Sequence, residues 1–362
     1  MPKIVHAADL HLDSAFGGLP MDKARERRRE SREMAGRLAA LVQEEKAEIV
    51  LLAGDLFDGE RVFPETLEQL KAALAGMGCP VFIAPGNHDP YTRHSPYAAA
   101  DWPGDVHIFR GEAMEAVLLP DLDCVVCGAA FTAPARTSPP LAGFTVPQDD
   151  RLCLLCLHGD VGRPASQYGP IPREHLAASG AHYAALGHVH QCSGVQRDGN
   201  TFWAYPGCPE GRGFDEPGDR GVLAGNVDAE GAALRFVPLC RRRYLILEAD
   251  VTGKSPGEAL EAAAPGSEDI CRIIFTGETD EAGIDLPALE SAYRDRFYSL
   301  ELRDRTRPAQ SLWERAGEDT LRGLFLREMK RRYDAAPGEE AREEITLAVR
   351  FGLAALEGRD RE

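Results

Sequence analysis

Short apolar runs punctuate the first half of the chain, and charged stretches with helical spacing lie between them. Ile4–Ala8 is apolar enough for a strand. Residues 22–46 are rich in charge, yet Met34, Leu38, Leu41 and Val42 recur at the three-and-four spacing of a helix face. Ile49–Ala53 predicts a second, buried strand, residues 64–76 a second helix and Val81–Ala84 a third strand. Such alternation implies an α/β fold, with parallel strands and helices on the sheet faces. From residue 106 the runs become strand after strand: Val106–Phe109, Ala116–Leu119, Cys124–Cys127, 152–157 and 183–186. Residues 194–237 read as hairpin-rich β structure.

The arginine run Arg241–Arg243 marks a seam. Beyond it, strand 244–250, helix 256–264, strand 270–276, helix 286–293 and strand 297–302 form a small α/β module. Two helical stretches follow, 317–333 and 339–357, split by Pro337-Gly338. Their apolar stripes (Leu321, Leu324, Phe325 and Met329; Ile345, Val349 and Leu353) read as core. The expected division is a large domain over 1–240, an α/β module over 241–305 and a helical segment over 306–362.

A length of 362 residues suits two cores rather than one, and 44% hydrophobic with 27% charged residues is an ordinary globular composition. No apolar run approaches a membrane span, and the first residues lack the pattern of a secretory signal, so a cytoplasmic protein with no membrane partner is expected. Nine cysteines, mostly in apolar runs, read as reduced core residues. Cys124/Cys127 and Cys153/Cys156 have the CxxC spacing of zinc sites, but residues three apart on a strand point to opposite faces. The formal charge of −17 argues against unaided duplex binding, which needs a basic face. It fits an enzyme handed its substrate by a partner, or one whose metals offset an acidic site.

Five short segments each stand at or just past the end of an apolar run, where open α/β sheets place their sites. They are Asp9-Leu10-His11, Gly54-Asp55-Leu56-Phe57-Asp58, Gly86-Asn87-His88-Asp89, His158-Gly159-Asp160 and Gly187-His188-Val189-His190. Oxygen and imidazole donors mixed in this way suit Mn, Fe or Zn. Asp9 and His11 are two apart and can share one ion; His188 and His190 can serve one ion or two. Two ions about 3.5–4 Å apart need a bridging carboxylate, and Asp55 is the best-placed candidate. One Asp-x-His carries no weight, and loops favour Gly, Asn and Asp anyway; five such segments in order do carry weight. Asp58 reads either as support for the set or as a helix cap.

The series DxH, GDxxD, GNHD, HG and GHxH, spanning residues 9–190, resembles the calcineurin-like metallophosphoesterases. His6–Asp13 and Gly54–Asp58 are similar to the SbcD-like group of exonuclease subunits, and Tyr205–Asp215 to its YhaO-like branch. The resemblance implies a four-layer α/β/β/α sandwich with a smaller C-terminal capping module and terminal helices. It implies one ion held by Asp9, His11, Asp55 and His190, and another held by Asp55, Asn87, His158 and His188. His88 would contact the scissile phosphate and protonate the leaving oxygen, with Asp89 orienting it. Hydroxide activated by two divalent ions, Mn ahead of Fe or Zn, would attack phosphorus in line. The implied substrate is DNA, with the module over 241–305 helping to choose between strand and duplex. The implied partners are an SbcC-like coiled-coil ATPase docking on the terminal helices and a second copy of the chain. Two other readings stand beside this one: a phosphodiesterase for small nucleotides or phosphoproteins, and a non-catalytic structural subunit.

Outside the motifs, His6 reads as a satisfied core residue inside the first strand. Arg25, Arg27, Arg28, Arg29 and Arg32 alternate with Glu26, Glu30 and Glu33, which reads as a solvated helix face rather than a DNA grip.

Overall fold

The computed structural model describes residues 1–146, 151–279, 283–309 and 313–356. Residues 280–282 of the expected α/β module, and 310–312 and 357–362 of the expected helical segment, lie outside the described residues. The chain divides into two units, Met1–Arg243 and Tyr244–Glu362.

In the first unit, strands β1 (Lys3–Ala7), β2 (Ile49–Leu52), β3 (Val81–Ile83) and β4 (Val106–Ile108) run parallel in that order. Two long helices, α1 (Met21–Glu45) and α2 (Pro64–Ala75), make the first crossovers. A second sheet then forms from β5 (Glu115–Leu119), β6 (Cys124–Gly128) and β7 (Leu152–His158). A short parallel pair, β8 (Asp160–Val161) and β9 (Pro170–Ile171), precedes β10 (Tyr183–Gly187), which continues that sheet beside β7. β11 (Gln196–Asp198) and β12 (Thr201–Ala204) complete it. The chain finally returns to the first sheet as the hairpin β13 (Gly221–Val227) and β14 (Ala232–Pro238), with β13 antiparallel to β1.

Three apolar clusters show why these layers hold. Met34, Leu38, Leu70 and Leu74 of the helices cover one face of the first sheet, against Val5, Val50 and Val81. Ile4, Ile49, Phe82, Cys124, Leu154 and Tyr183 fill the space between the sheets. Leu155, Leu157, Leu176 and Trp203 close the outer face of the second sheet, where helix Arg173–Ser179 lies. Helix, sheet, sheet, helix is therefore the layer order. Each fully buried Phe or Leu contributes about 1.5–3 kcal/mol.

The cysteines follow strand alternation: Cys124 and Cys156 face the inter-sheet core, Cys127 and Cys153 the outer one. His6 ties the sheets together, its Nδ1 lying 2.8 Å from the Tyr183 hydroxyl and its Nε2 3.2 Å from the Leu186 carbonyl oxygen. Burial pushes it down to about 3, so the ring is neutral.

One expectation fails on α1. Arg27 is fully buried, not solvated, because Glu30 of its own helix and Glu210 from a distant loop each pair with it at 2.6 Å. Arg37 meets the other Glu210 oxygen at 2.8 Å, and Arg242 meets Glu30 at 2.9 Å. Arg29, beside Glu26 and Glu33, does lie in solvent.

The second unit holds a three-stranded parallel sheet of Tyr244–Asp250, Ser267–Thr276 and Phe297–Asp304. Helices Pro256–Ala263 and Leu286–Tyr293 accompany it, the first opened by a Ser255/Glu258 capping box. Helices Leu321–Asp334 and Glu339–Leu356 pack on each other through Leu326, Met329, Val349 and Leu353. Leu321 and Leu324, read as core from their spacing, are 69% and 53% exposed. The contact between these helices takes the Leu326–Met329 edge and leaves those two side chains outside it.

Candidate metal centre

The five segments leave the same ends of the sheets: Asp9 and His11 follow β1, Asp55 and Asp58 follow β2, Asn87–Asp89 follow β3, His158 closes β7, and His188 and His190 follow β10. The loops are laced together. The Asp9, His11 and Leu12 amides donate to the carbonyl oxygens of Gly54, Asp55 and Leu56, each at 2.9 Å. Asp9, His11, Asp55 and His188 take positive φ of 55°, 42°, 52° and 106°. Such conformations cost about 1–3 kcal/mol each and persist only where the surroundings over-determine them. Gly86 shows how tight the crowding is, since any side chain there would run into the Asp55 carboxylate.

Among the described residues three donor groups result, Asp9–His11–His190, Asp9–Asp55–His158 and His11–Asp58–His88, with ligand atoms within 4.8 Å of one another in each. The imidazoles are aimed by what holds their outer nitrogens. His11 Nδ1 lies 3.1 Å from Asp58 Oδ1, and His190 Nδ1 lies 2.7 Å from Glu216 Oε1. Both Nδ1–H groups are thereby spent, and the two Nε2 atoms face one another at 3.2 Å. His158 donates from Nδ1 to the Ala53 carbonyl oxygen at 2.9 Å, leaving Nε2 at 2.9 Å from Asn87 Oδ1 and 3.4 Å from Asp55 Oδ2. His188 is reversed, with Nδ1 at 3.1 Å from Asn87 Oδ1 and Nε2 at 3.4 Å from Asp160 Oδ2.

This donor set fits divalent cations. Lone pairs of His11, His190, His158 and Asn87 converge where hydrogen-bond chemistry alone would set donors against acceptors. Asp9 and Asp55 are each 1% exposed, and among the described residues neither pairs with Lys or Arg. Burial pushes Asp9 up to about 7. Burial also works to raise Asp55, but His158 overrides it and holds the carboxylate well below its usual range. His158 is desolvated too, yet Asp55 and Asp9 raise it to about 9. Desolvation lowers His11 and His188 to about 4 each. Positive charge is what this pocket of buried carboxylates demands, and outer partners that fix imidazole orientation are the usual support of metal ligands.

The structure brings all seven expected ligands, Asp9, His11, Asp55, Asn87, His158, His188 and His190, into one cluster. His88 stands at its rim, side chain 43% exposed, with its ring edge-on to His11 at 4.8 Å between centroids. Asp89 is placed differently from expectation. Its carboxylate is buried and accepts from the Leu56, Phe57 and Gly86 amides and the Tyr97 hydroxyl, at 2.6 to 3.0 Å. Among the described residues these donors, not the His88 ring, meet it; Asp58 Oδ1, 3.7 Å from His88 Nδ1, is the carboxylate beside that ring. Asp89 thus fixes the loop that carries Asp55.

Sequence reasoning missed Glu216 and Arg212. Glu216 also accepts from the Arg212 amide at 2.8 Å, and Arg212 Nη1 reaches Asp58 at 3.3 Å. Arg212 lies within the Tyr205–Asp215 segment and Glu216 directly after it, but nothing local couples Glu216 to a histidine 26 positions earlier.

A family model described as calcineurin-like phosphoesterase matches residues 2–192, more than half of the 362-residue chain. The chain is 30% identical over 241 residues to the uncharacterized metallophosphoesterase YhaO of Bacillus subtilis, covering 62% of this chain and 57% of that one. It is 26% identical to the DNA double-strand break repair protein Mre11 of Aeropyrum pernix, covering 69% and 64% respectively. Against the SbcD component of the nuclease SbcCD of Bacillus subtilis it is 25% identical, covering 60% and 63%. The chain therefore spans less than two thirds of the length of each of these relatives. Motif order, layer order, donor geometry and family match agree, and the chain belongs to the calcineurin-like phosphoesterase family, which uses a dinuclear metal centre.

Proposed function

We propose that this chain is a two-metal phosphodiesterase acting on DNA, the nuclease subunit of an SbcCD-like assembly. The observation that carries the reading is a largely buried cluster of carboxylate and imidazole donors with a half-exposed imidazole, His88, at its rim. Asp9, His11, Asp55 and His190 would hold one ion, and Asp55, Asn87, His158 and His188 the other. Asp55 Oδ2 faces both sets, 3.8 Å from His11 Nε2 and 3.4 Å from His158 Nε2. Two divalent ions there, Mn by preference, would supply activated water and neutralise charge on the phosphoryl oxygens. His88 is placed to touch the phosphate and give a proton to the leaving oxygen. Asp58, Asp160, Glu216 and Ala53 hold the imidazoles; Asp89 holds the Asp55 loop.

DNA is favoured by similarity to proteins named for double-strand break repair and for nuclease activity. A charge of −17 fits DNA presented by a partner, an SbcC-like coiled-coil ATPase. Exposed Leu321, Leu324, Leu347 and Phe351 on the terminal helices offer that coiled coil an apolar seat. Residues 241–305 serve as the capping module, and the working form is a cytoplasmic homodimer. The acidic charge also supports a second reading, a phosphodiesterase for small nucleotides or phosphoproteins.

Purified protein with Mn²⁺ should cleave both a labelled DNA strand and bis-p-nitrophenyl phosphate, with both activities lost in His88→Ala and Asp55→Asn. Cleavage of the small ester alone, unchanged by an added SbcC-like ATPase, would favour the second reading. Silence on both substrates with metal bound would leave the structural-subunit reading.

A further inference from the structure

Strand alternation splits each of the two CxxC spacings, turning one cysteine of each outward and the other inward. The outward two, Cys127 on β6 and Cys153 on β7, lie one diagonal step apart on neighbouring parallel strands. Cys127 stands opposite Leu155, and Cys153 opposite Val125. Their Sγ atoms are 4.0 Å apart. Both are buried, and they share the outer apolar cluster with Val125, Leu141, Leu155 and Trp203. The inward pair behaves differently. Cys156 Sγ donates to the Leu52 carbonyl oxygen at 3.6 Å, and Cys124 Sγ to that of Val125 at 3.8 Å. Burial pushes the Cys124 thiol up to about 12 and raises Cys156 as well, whereas contact with Cys153 lowers Cys127 against its burial. The inner thiols meet backbone oxygens; the outer thiols meet each other.

Two sulfurs facing one another in an apolar layer suit a soft cation, because thiolates select such ions while hard ones need oxygen. Coordination number narrows the choice. Structural zinc takes four ligands, and among the described residues no third His, Cys, Asp or Glu ligand atom completes a set with this pair. His182 spends its Nδ1 on the Cys153 amide, at 2.9 Å. Cu(I) is satisfied by two sulfurs. An ion about 2.3 Å from each would see them at about 120°, and opening the pair by about 0.6 Å makes the arrangement linear. A disulfide asks for the reverse, closure by about 2 Å. Charge agrees as well. When a metal–sulfur bond replaces one S–H bond and that proton leaves to solvent, a monovalent ion adds no net charge to an apolar core. Cys153 is the second residue of β7 and follows half-buried Arg151 and Leu152, which gives an ion a short way in.

We propose that Cys127 and Cys153 form a second metal site, separate from the donor cluster, that takes a soft monovalent cation, Cu(I), between β6 and β7. The full chain, reduced, anaerobic and with Mn²⁺ filling the donor cluster, should be titrated with Cu(I) against a coloured Cu(I) chelator, bathocuproine disulfonate. Wild type should withdraw one more Cu(I) per chain than either Cys127→Ala or Cys153→Ala. Cys124→Ala and Cys156→Ala, which alter the same strands on their other face, should match wild type. A stoichiometry unchanged in both outer variants, or lowered equally by the inner ones, would overturn the site. Because a cysteine variant of the core can fail to fold, the unmutated chain supplies the second reading. Crystals soaked in Cu(I) should give an anomalous peak at the copper edge between the Cys127 and Cys153 Sγ atoms. Copper found only at the donor cluster, at other cysteines or nowhere would overturn it equally. Neither readout depends on hydrolysis, so failure here leaves the phosphodiesterase reading untouched.

Discussion

The two halves of the donor cluster are held by different means. On the Asp9 side, His11 and His190 give their Nδ1 atoms to the side-chain carboxylates Asp58 and Glu216, and Arg212 clamps both, at 3.3 and 3.0 Å. On the Asn87 side, His158 gives Nδ1 to the backbone carbonyl of Ala53, at the end of β2, and only His188 leans on a carboxylate. The sheet itself positions one half. A network of distant charges positions the other, and its loop is in turn anchored where buried Arg27 and half-buried Arg37 grip Glu210. A carbonyl at a strand end cannot be protonated or substituted, whereas a carboxylate can, so the Asp9 half should be the more sensitive to mutation and pH.

The largest effect should come from the residue that erases the distinction. Asp55→Asn removes the carboxylate facing both halves, and metal content by elemental analysis should fall to less than about one ion per chain, with hydrolysis lost. Two ions retained would mean the halves do not share Asp55. His88→Ala should leave both halves filled while kcat falls about 10²–10⁴-fold, read as turnover against metal content.

Glu216→Gln sharpens the contrast. It should weaken one metal equivalent by about 10–100-fold and spare the other, seen as two separated steps in a metal titration. Equal weakening of both would dissolve the comparison. The smallest effect concerns the metal-free protein. Burial would raise Glu216, but His190 and Arg212 outweigh it and hold the carboxylate far below its usual range. A depressed folded value contributes stability above the unfolded pKa, eroded as pH falls through the interval between the two. Urea unfolding should thus show Glu216→Gln costing about 1.5–3 kcal/mol at pH 7. The difference should shrink as pH drops below about 4.3. A difference that grows in acid would contradict the assignment.

The same contrast explains what the sequence disclosed. The ligands of both halves were legible because ligand, glycine and strand end fall within a few residues of each other, as in Gly54-Asp55, Gly86-Asn87, His158-Gly159 and Gly187-His188. The roles of Glu216 and Arg212 were not, since they act across the tertiary fold; of the two readings of Asp58, its contact with His11 selects support for the set. Asp89 was misplaced for a related reason: adjacency to His88 suggested a partner, but on a tight loop neighbouring side chains diverge, and its oxygens face backbone amides instead. Arg27 showed its helical partner Glu30 and hid Glu210. Parallel strands with flanking helices were readable because apolar runs and helical spacing are local, whereas the layer order came from the family resemblance; the exposure of Leu321 and Leu324 was not readable, because spacing marks an apolar face without saying what covers it.

The most direct test of the central claim is anomalous diffraction at the manganese edge from crystals of the full chain grown with Mn²⁺. Two peaks about 3.5–4 Å apart are predicted, flanking the Asp55 carboxylate, one beside His11 and His190 and the other beside Asn87, His158 and His188. A single peak, or ions bound away from Asp55, would contradict it.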